Sequence, residues 1–246
     1  MLSKDDSGAE QPVIRRLNAL RRLSAAGMAA IKNAVRGKIV KAGGGEDLIC
    51  EGDRCEIIRV FLSGWACRYK TLEDGRRQIV SFILPGDTCD AYIYLLSAMD
   101  YSIATLTPVT YAELDRGAFE RLMSADISVA EAFFCESLAE RAIRREWAVN
   151  LGRRDALERV AHIICESFER LKVVGLADGN SFAFPVTQTD LADATGLSTV
   201  HLNRTLQQLR SAGLITLRDR SLSILDMKAL SGTAMFNPNY LHLDSK

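Results

Sequence analysis

The residues between Ser198 and Ser211 carry the side chains best suited to reading a nucleic acid. Leu202, Leu206 and Leu209 recur at i, i+4 and i+7, which is the spacing of one apolar helix face. The opposite face would carry Thr199, Val200, Asn203, Arg204 and Gln207. Arginine, asparagine and glutamine form hydrogen bonds with base edges in the DNA major groove. The spacing therefore predicts a helix with one inward face and one face that could contact bases.

The residues before this helix predict another short helix and a tight turn. Thr187 begins a T-x-x-D capping signal that ends at Asp190. Gly196 lies where the chain must turn sharply, because glycine adopts positive φ without strain. Ser198 is a preferred residue type for the N-cap of the second helix. Two such helices form a helix-turn-helix, although two ordinary amphipathic helices of a globular domain would show the same bare pattern.

Two strand-like runs after the second helix favour the helix-turn-helix. Residues 214–217 and 222–225 are short and largely apolar, and the polar residues 218–221 between them predict a β-hairpin turn, as in a winged helix. Four arginines and one aspartate between Ser198 and Arg220 give a local net charge of +3, which suits phosphate contacts. We therefore predict double-stranded DNA as a partner. The candidate DNA-binding residues are Thr187, Gln188, Ser198, Thr199, Val200, His201, Asn203 and Arg204.

The composition is ordinary for a globular protein. The 246 residues are 48% hydrophobic and 25% charged, and the formal net charge of zero does not itself indicate a nucleic-acid partner. The six cysteines include no C-x-x-C pair, and the first 20 residues lack the apolar core of a signal peptide. No apolar run approaches the ~20 residues of a membrane helix. We expect a cytoplasmic protein with reduced thiols and no membrane partner.

The spacing of glycines and short apolar runs predicts an antiparallel β domain before the helical part. Turn glycines recur at Gly52, Gly64, Gly75 and Gly86, and short apolar runs lie between them. Such spacing is typical of a sandwich or jelly roll. A long helix free of proline is predicted over 127–151, and Gly152-Arg153-Arg154 is predicted to break it and form a hinge. A further helix over 156–171 precedes a loop at 175–180.

The expected fold class is α+β: an N-terminal antiparallel β jelly roll, a long dimerisation helix and a C-terminal winged helix-turn-helix domain. The imperfect heptad spacing of Phe134 and Leu138 gives the long helix an apolar stripe that needs cover, either from its own domain or from the same helix of a second subunit, and the spacing slightly favours the second subunit. The predicted divisions are 1–38 for N-terminal helices, 39–124 for the roll, 125–151 for the dimerisation helix, 152–229 for the DNA-binding domain and 230–246 for a C-terminal tail.

An enzyme is a rival interpretation that the sequence disfavours. A cupin-type metalloenzyme needs histidine and carboxylate ligands inside the roll, but His162, His201 and His242 all lie outside it. No nucleophile-base pair or phosphate-binding glycine loop stands out, so we predict no enzymatic activity. A cyclic-nucleotide-binding regulatory module without DNA contact remains the alternative, and the predicted winged helix-turn-helix argues against it.

The order of these elements resembles the Crp-Fnr family of bacterial transcription regulators over most of the chain. The roll matches through Glu51-Gly52-Asp53, Ser63-Gly64, residues 74–79 and Pro85-Gly86-Asp87, and the DNA-binding part through residues 155–161, 185–192, 196–198, 204–209 and 213–215. The resemblance implies a homodimer, paired through the long helix, on a near-palindromic DNA site. It also implies RNA polymerase as a partner.

The chain departs from the cyclic-AMP-binding members of that family. Their phosphate-binding cassette follows the Pro-Gly-Asp turn and contains a glutamate and an arginine, whereas the glutamate position here is Ala91. No arginine or lysine occurs from Gln78 to Asp115, so a buried cyclic phosphate would lack a charged hydrogen-bond partner there. The sequence therefore predicts a roll that does not respond to cyclic AMP.

An iron-sulfur cluster is also disfavoured, and no cofactor is predicted. The oxygen sensors of the family use closely spaced cysteines near the N-terminus, but the first cysteine here is Cys50. Cys50, Cys55, Cys67 and Cys89 could supply four thiolates, although free cysteines more often pack as small apolar residues.

The predicted recognition helix differs from the family pattern at one position. Many members carry a glutamate two residues after the position of Ser198, and this chain has Val200 there. Arg204 matches the family arginine that contacts guanine. The resemblance thus implies a retained guanine contact and a lost cytosine contact, with Val200 able to touch a thymine methyl.

Overall fold

The computed structural model describes residues 8–54, 56–89 and 91–243. These residues form two compact units. The first contains residues up to 68, residues 82–141 and residues from 242 onward, and the second contains residues 69–81 and 142–241. No helix in the described ranges is both long enough and apolar enough to cross a membrane.

The first unit begins with two helices, α1 (Gln11–Leu20) and α2 (Ala25–Val35). α1 buries an apolar face that includes Val13 and Leu17. α2 begins at Ser24, whose hydroxyl accepts a hydrogen bond from the Gly27 backbone N–H. This side-chain cap satisfies one of the N–H groups that a helix start leaves without a partner.

The β domain is the predicted roll, built from two four-stranded sheets. Its strands are β1 (Ile39–Ala42), β2 (Asp47–Ile49), β3 (Ile57–Ser63), β4 (Ala66–Thr71), β5 (Arg77–Ile83), β6 (Thr88–Cys89), β7 (Ser102–Thr105) and β8 (Val109–Asp115). One sheet has the order β1-β8-β3-β6 and the other β2-β7-β4-β5. β3 pairs antiparallel with β8, from Ile57 opposite Asp115 to Ser63 opposite Thr110. Side chains from both sheets and from α1 and α2 share one apolar core.

Two helices follow the roll, α3 (Arg116–Ala125) and α4 (Ile127–Arg153). α4 buries one face, which includes Phe133 and Trp147. The break predicted at residues 152–154 lies at the last of them, Arg154, because the helix continues through Gly152 to Arg153. One glycine in a helix costs only about 1 kcal/mol relative to alanine, so it does not end a helix that other contacts support.

The second unit contains α5 (Ala156–Val173), α6 (Gln188–Thr195), α7 (Thr199–Ser211) and α8 (Met227–Ala234). Its sheet has the order β11-β12-β10-β9, from β9 (Ala177–Asp178), β10 (Ser181–Ala183), β11 (Ile215–Arg218) and β12 (Ser221–Ile224). The loop predicted at 175–180 therefore contains a short strand. The boundary predicted after residue 229 falls inside α8, which packs against α5.

Charged side chains are buried in the first unit beside α4. Arg16 on α1 is only 2% exposed, and its Nε lies 3.6 Å from the Asp87 carboxylate. Arg68 on β4 is also buried, and its guanidinium lies 3.0 Å from the Glu140 carboxylate. The interior of this unit therefore contains guanidinium groups that come from outside the 78–115 stretch.

Glu136 adds a third carboxylate to these two ion pairs. It is buried on α4 and accepts a hydrogen bond of 3.0 Å from the Thr88 backbone N–H. Burial, with a further contribution from Glu140, raises the pKa of Glu136 to about 8, although the charge of Arg16 opposes the shift. The neutral form of Glu136 therefore predominates at neutral pH.

We predict that Glu136 makes the folded protein less stable as the pH rises. The folded chain keeps this proton up to about pH 8, whereas an ordinary glutamate loses it near 4.5. The free energy of unfolding should therefore fall between these values, by on the order of 1 kcal/mol per pH unit. Glu136→Gln should remove this slope in denaturant titrations at fixed protein concentration, whereas the exposed Glu120→Gln should keep it. An unchanged slope in Glu136→Gln would contradict the assignment.

Candidate nucleic-acid interface

The helix-turn-helix begins at a capped helix start. Thr187 is the N-cap of α6, and its hydroxyl oxygen accepts a hydrogen bond from the Asp190 N–H at 3.1 Å. The same hydroxyl donates to the Asp190 carboxylate at 2.5 Å. The T-x-x-D signal in the sequence therefore marks the N-cap of the helix correctly, because the interaction is local.

The turn and the second helix follow the predicted geometry. Gly196 ends α6 with a φ of +64°, which is the left-handed conformation that glycine adopts most easily. Ser198 caps α7, since its hydroxyl oxygen accepts from the His201 N–H at 3.2 Å. Leu202, Leu206 and Leu209 are buried as the inner face of α7.

All of the predicted DNA-binding residues are exposed to solvent. Val200, an apolar residue, is 71% exposed at the start of α7. Single exposed apolar residues are common on protein surfaces, so this exposure makes Val200 accessible to a partner without itself indicating one. The exposed set is Thr187, Gln188, Ser198, Thr199, Val200, His201, Asn203 and Arg204.

The hairpin formed by β11 and β12 provides the wing. Its two central turn residues, Asp219 and Arg220, have positive φ values of 48° and 61°. Positive φ at both positions defines a type I′ turn, which matches the twist of the strands and normally favours asparagine and glycine. Arg218 and Arg220 are both exposed, so the wing presents two cations.

Arg159 connects the helix ends that surround the helix-turn-helix. Its guanidinium donates to the backbone oxygens of Leu151 at 3.2 Å and Arg154 at 3.0 Å. A third bond runs to the oxygen of Thr195 at the end of α6. Helix C-termini leave carbonyl groups without partners, so one planar cation satisfies several of them together.

A buried polar network, which has no signature in the sequence, supports α5. Glu166 accepts hydrogen bonds from the Trp147 indole at 3.1 Å and from the Tyr240 hydroxyl at 2.8 Å. The Arg170 guanidinium lies 3.3 Å from the same carboxylate. Burial and the nearby Arg154 lower the pKa of His162 to about 3, so this imidazole is neutral and stacks on Tyr240.

The described cysteines are placed mostly as packing residues. Cys67 and Cys89 are buried, whereas Cys50 is exposed. Cys55 lies outside the described residues. Within the part of the chain that the structure describes, no three histidine, cysteine or acidic side chains are grouped so that they could hold a metal ion.

Two family models match the chain in the order of its domains. The model of the cyclic nucleotide-binding domain matches residues 39–126, and the model of the Crp-like helix-turn-helix domain matches residues 158–232. The first match covers the roll with α3, and the second covers the segment from α5 to α8.

Curated relatives and solved structures match most of the chain. The nitrogen fixation regulation protein FixK of Bradyrhizobium diazoefficiens is 31% identical over 191 residues, which are 77% of this chain and 79% of FixK. The transcriptional activator protein FnrL of Cereibacter sphaeroides is 28% identical over 72% of this chain and 71% of FnrL. The structure of FixK2 from Bradyrhizobium japonicum superposes with a TM-score of 0.69 at 25% identity, covering 80% of this chain and 96% of that structure.

Proposed function

We propose, from the premise that this chain belongs to the Crp-Fnr family of bacterial transcription regulators, that it binds a near-palindromic DNA site as a homodimer. The observation that carries the proposal is the outward face of α7. A capped helix there presents Asn203 and Arg204 to solvent, while its apolar face is buried. This division of faces is what a recognition helix needs in the major groove.

The chemistry of five of the exposed candidate side chains fits a specific role in this interface. Arg204 reads guanine through O6 and N7, and Val200 contacts a thymine methyl. Ser198, Thr199 and Gln188 lie at helix starts and bind phosphate oxygens, which position the protein without specifying sequence. Two more cations, Arg218 and Arg220, lie on the wing and add phosphate contacts. RNA polymerase is the proposed protein partner at promoters, because the family consists of transcription regulators.

Arg204→Ala should weaken binding to the specific site by ~1–3 kcal/mol and relax base preference at one position of each half-site. The probe is a duplex recovered by the wild-type protein from a random-sequence pool, compared with random DNA in a fluorescence titration. Lys228→Ala removes the same charge from α8 and should leave the preference unchanged. If Arg204→Ala weakens binding to both duplexes equally, Arg204 contacts only the backbone.

The exposed face of α4 supports the homodimer. Phe134 and Leu138 are 58% and 43% exposed, one helical turn apart, and Ile127 and Val149 are also exposed. Apolar side chains repeated along one helix face are typical of a seam with a second helix. In the proposed dimer the two α4 helices pair, and the two recognition helices read half-sites about 34 Å apart.

Phe134→Asp and Leu138→Asp should each convert the dimer to a monomer, because paired helices would bury a carboxylate in an apolar seam. Light scattering at micromolar concentration measures the mass, and circular dichroism checks that the helices remain. Leu95→Asp is the matched control, since Leu95 is exposed on a different segment. A wild-type monomer that binds the full site with undiminished affinity would refute the dimer.

We also propose that the roll does not respond to cyclic AMP. The two buried guanidinium groups beside α4 already face carboxylates: Arg68 lies against Glu140, and Arg16 lies near Asp87. A cyclic phosphate would have to displace those carboxylates and leave them buried, which is costly. The absence of any arginine or lysine between Gln78 and Asp115 supports the same conclusion.

Calorimetry should detect no binding of cyclic AMP or cyclic GMP at ligand concentrations up to about 1 mM, where a weak complex would still register. The affinity for the selected duplex should be the same with and without each nucleotide. Micromolar binding that also tightens the DNA complex would overturn this proposal without affecting the assignment of the DNA-binding face.

A further inference from the structure

Two side chains of the second unit, Arg77 and Gln78, reach α6 from the start of β5. The Arg77 guanidinium lies 2.7 Å from the Asp193 carboxylate and 2.5 Å from the Asp190 carboxylate. The neighbouring Gln78 amide donates to the Asp193 backbone oxygen at 2.6 Å. The guanidinium also lies over the Tyr69 ring at 5.6 Å. The planar Arg77 guanidinium thus binds two acidic residues that are three positions apart on α6.

These two carboxylates lie in the helix that begins at the proposed phosphate contacts. Asp190 hydrogen-bonds directly with Thr187, the N-cap of α6. Gln188, a proposed phosphate contact, directly follows Thr187. The first helix of a helix-turn-helix crosses the DNA backbone, and two negative charges there would repel phosphates. A guanidinium bound to both carboxylates offsets that charge.

We propose that Arg77 is a positioning residue for DNA binding, holding α6 by Asp190 and Asp193 and balancing their charge where the helix meets phosphate. The inference rests on the proposed DNA-binding function. Arg77 acts through α6 and not through a base, so its contribution is independent of DNA sequence. Arg204 differs in this respect, because its loss should weaken binding to the specific site more than binding to random DNA.

The adjacent Arg76 offers a matched control for charge. Its side chain is 76% exposed and pairs with Asp74 within the same turn. Arg77→Ala and Arg76→Ala remove the same charge from neighbouring positions. Arg77→Ala should weaken binding about tenfold, on the selected duplex and on random DNA alike, and Arg76→Ala less than twofold, because only the former exposes two carboxylates at α6.

A charge rescue distinguishes electrostatic positioning from simple support of the fold. Asp190→Asn and Asp193→Asn added to Arg77→Ala remove the unbalanced charges and keep the side-chain shapes. This triple variant should recover most of the lost DNA affinity, measured below the melting temperature of every variant. A triple variant as weak as Arg77→Ala would overturn the proposal, because the defect would then come from lost packing.

Two other results would also refute the positioning role of Arg77. Arg77→Ala with the affinity of Arg76→Ala, or with tighter binding than the wild type, would refute a positioning role while Arg204→Ala still reports specific recognition. A wild-type chain that binds no DNA at all would overturn the proposed function and this inference together.

Discussion

The DNA-binding part of this protein depends on one guanidinium group, which links the C-terminal ends of two helices and the junction between α4 and α5. Arg159, in the first turn of α5, binds backbone oxygens at the end of α4, at the α4–α5 junction and at the end of α6. The capping box of Asp155 and Glu158 fixes where α5 begins, and so fixes the position of Arg159 itself. This side chain therefore helps to hold α6, and through Gly196 the start of α7, in place against α5.

Interactions within a few residues of one another were predictable from the sequence. The caps at Thr187 and Ser198, the left-handed Gly196 and the hairpin after α7 all depend on local backbone geometry, and the structure contains each of them. The family assignment and the α+β fold class are confirmed, because several such local signals occur in the expected order.

Interactions between distant segments were not predictable by the same reasoning. A search for basic residues after the Pro-Gly-Asp turn could not find Arg16 or Arg68, because strand pairing and helix packing bring them to α4 from earlier in the chain. The bond from Arg77 to α6 spans more than a hundred residues and has no sequence signature. The break after α4 was predictable to within three residues but not to one, because the preference of Gly152 is weak and the capping box of α5 sets where α4 ends.

The wing turn has a consequence for anyone who sets out to engineer this protein. Asp219 and Arg220 adopt a conformation that asparagine and glycine would adopt with less strain. A search for heat-resistant variants guided by turn preferences would therefore select Asn-Gly at these positions and discard the cation at the tip of the wing. Such a molecule would gain stability and lose the phosphate contact proposed for Arg220, so directed evolution here should score DNA binding as well as melting temperature.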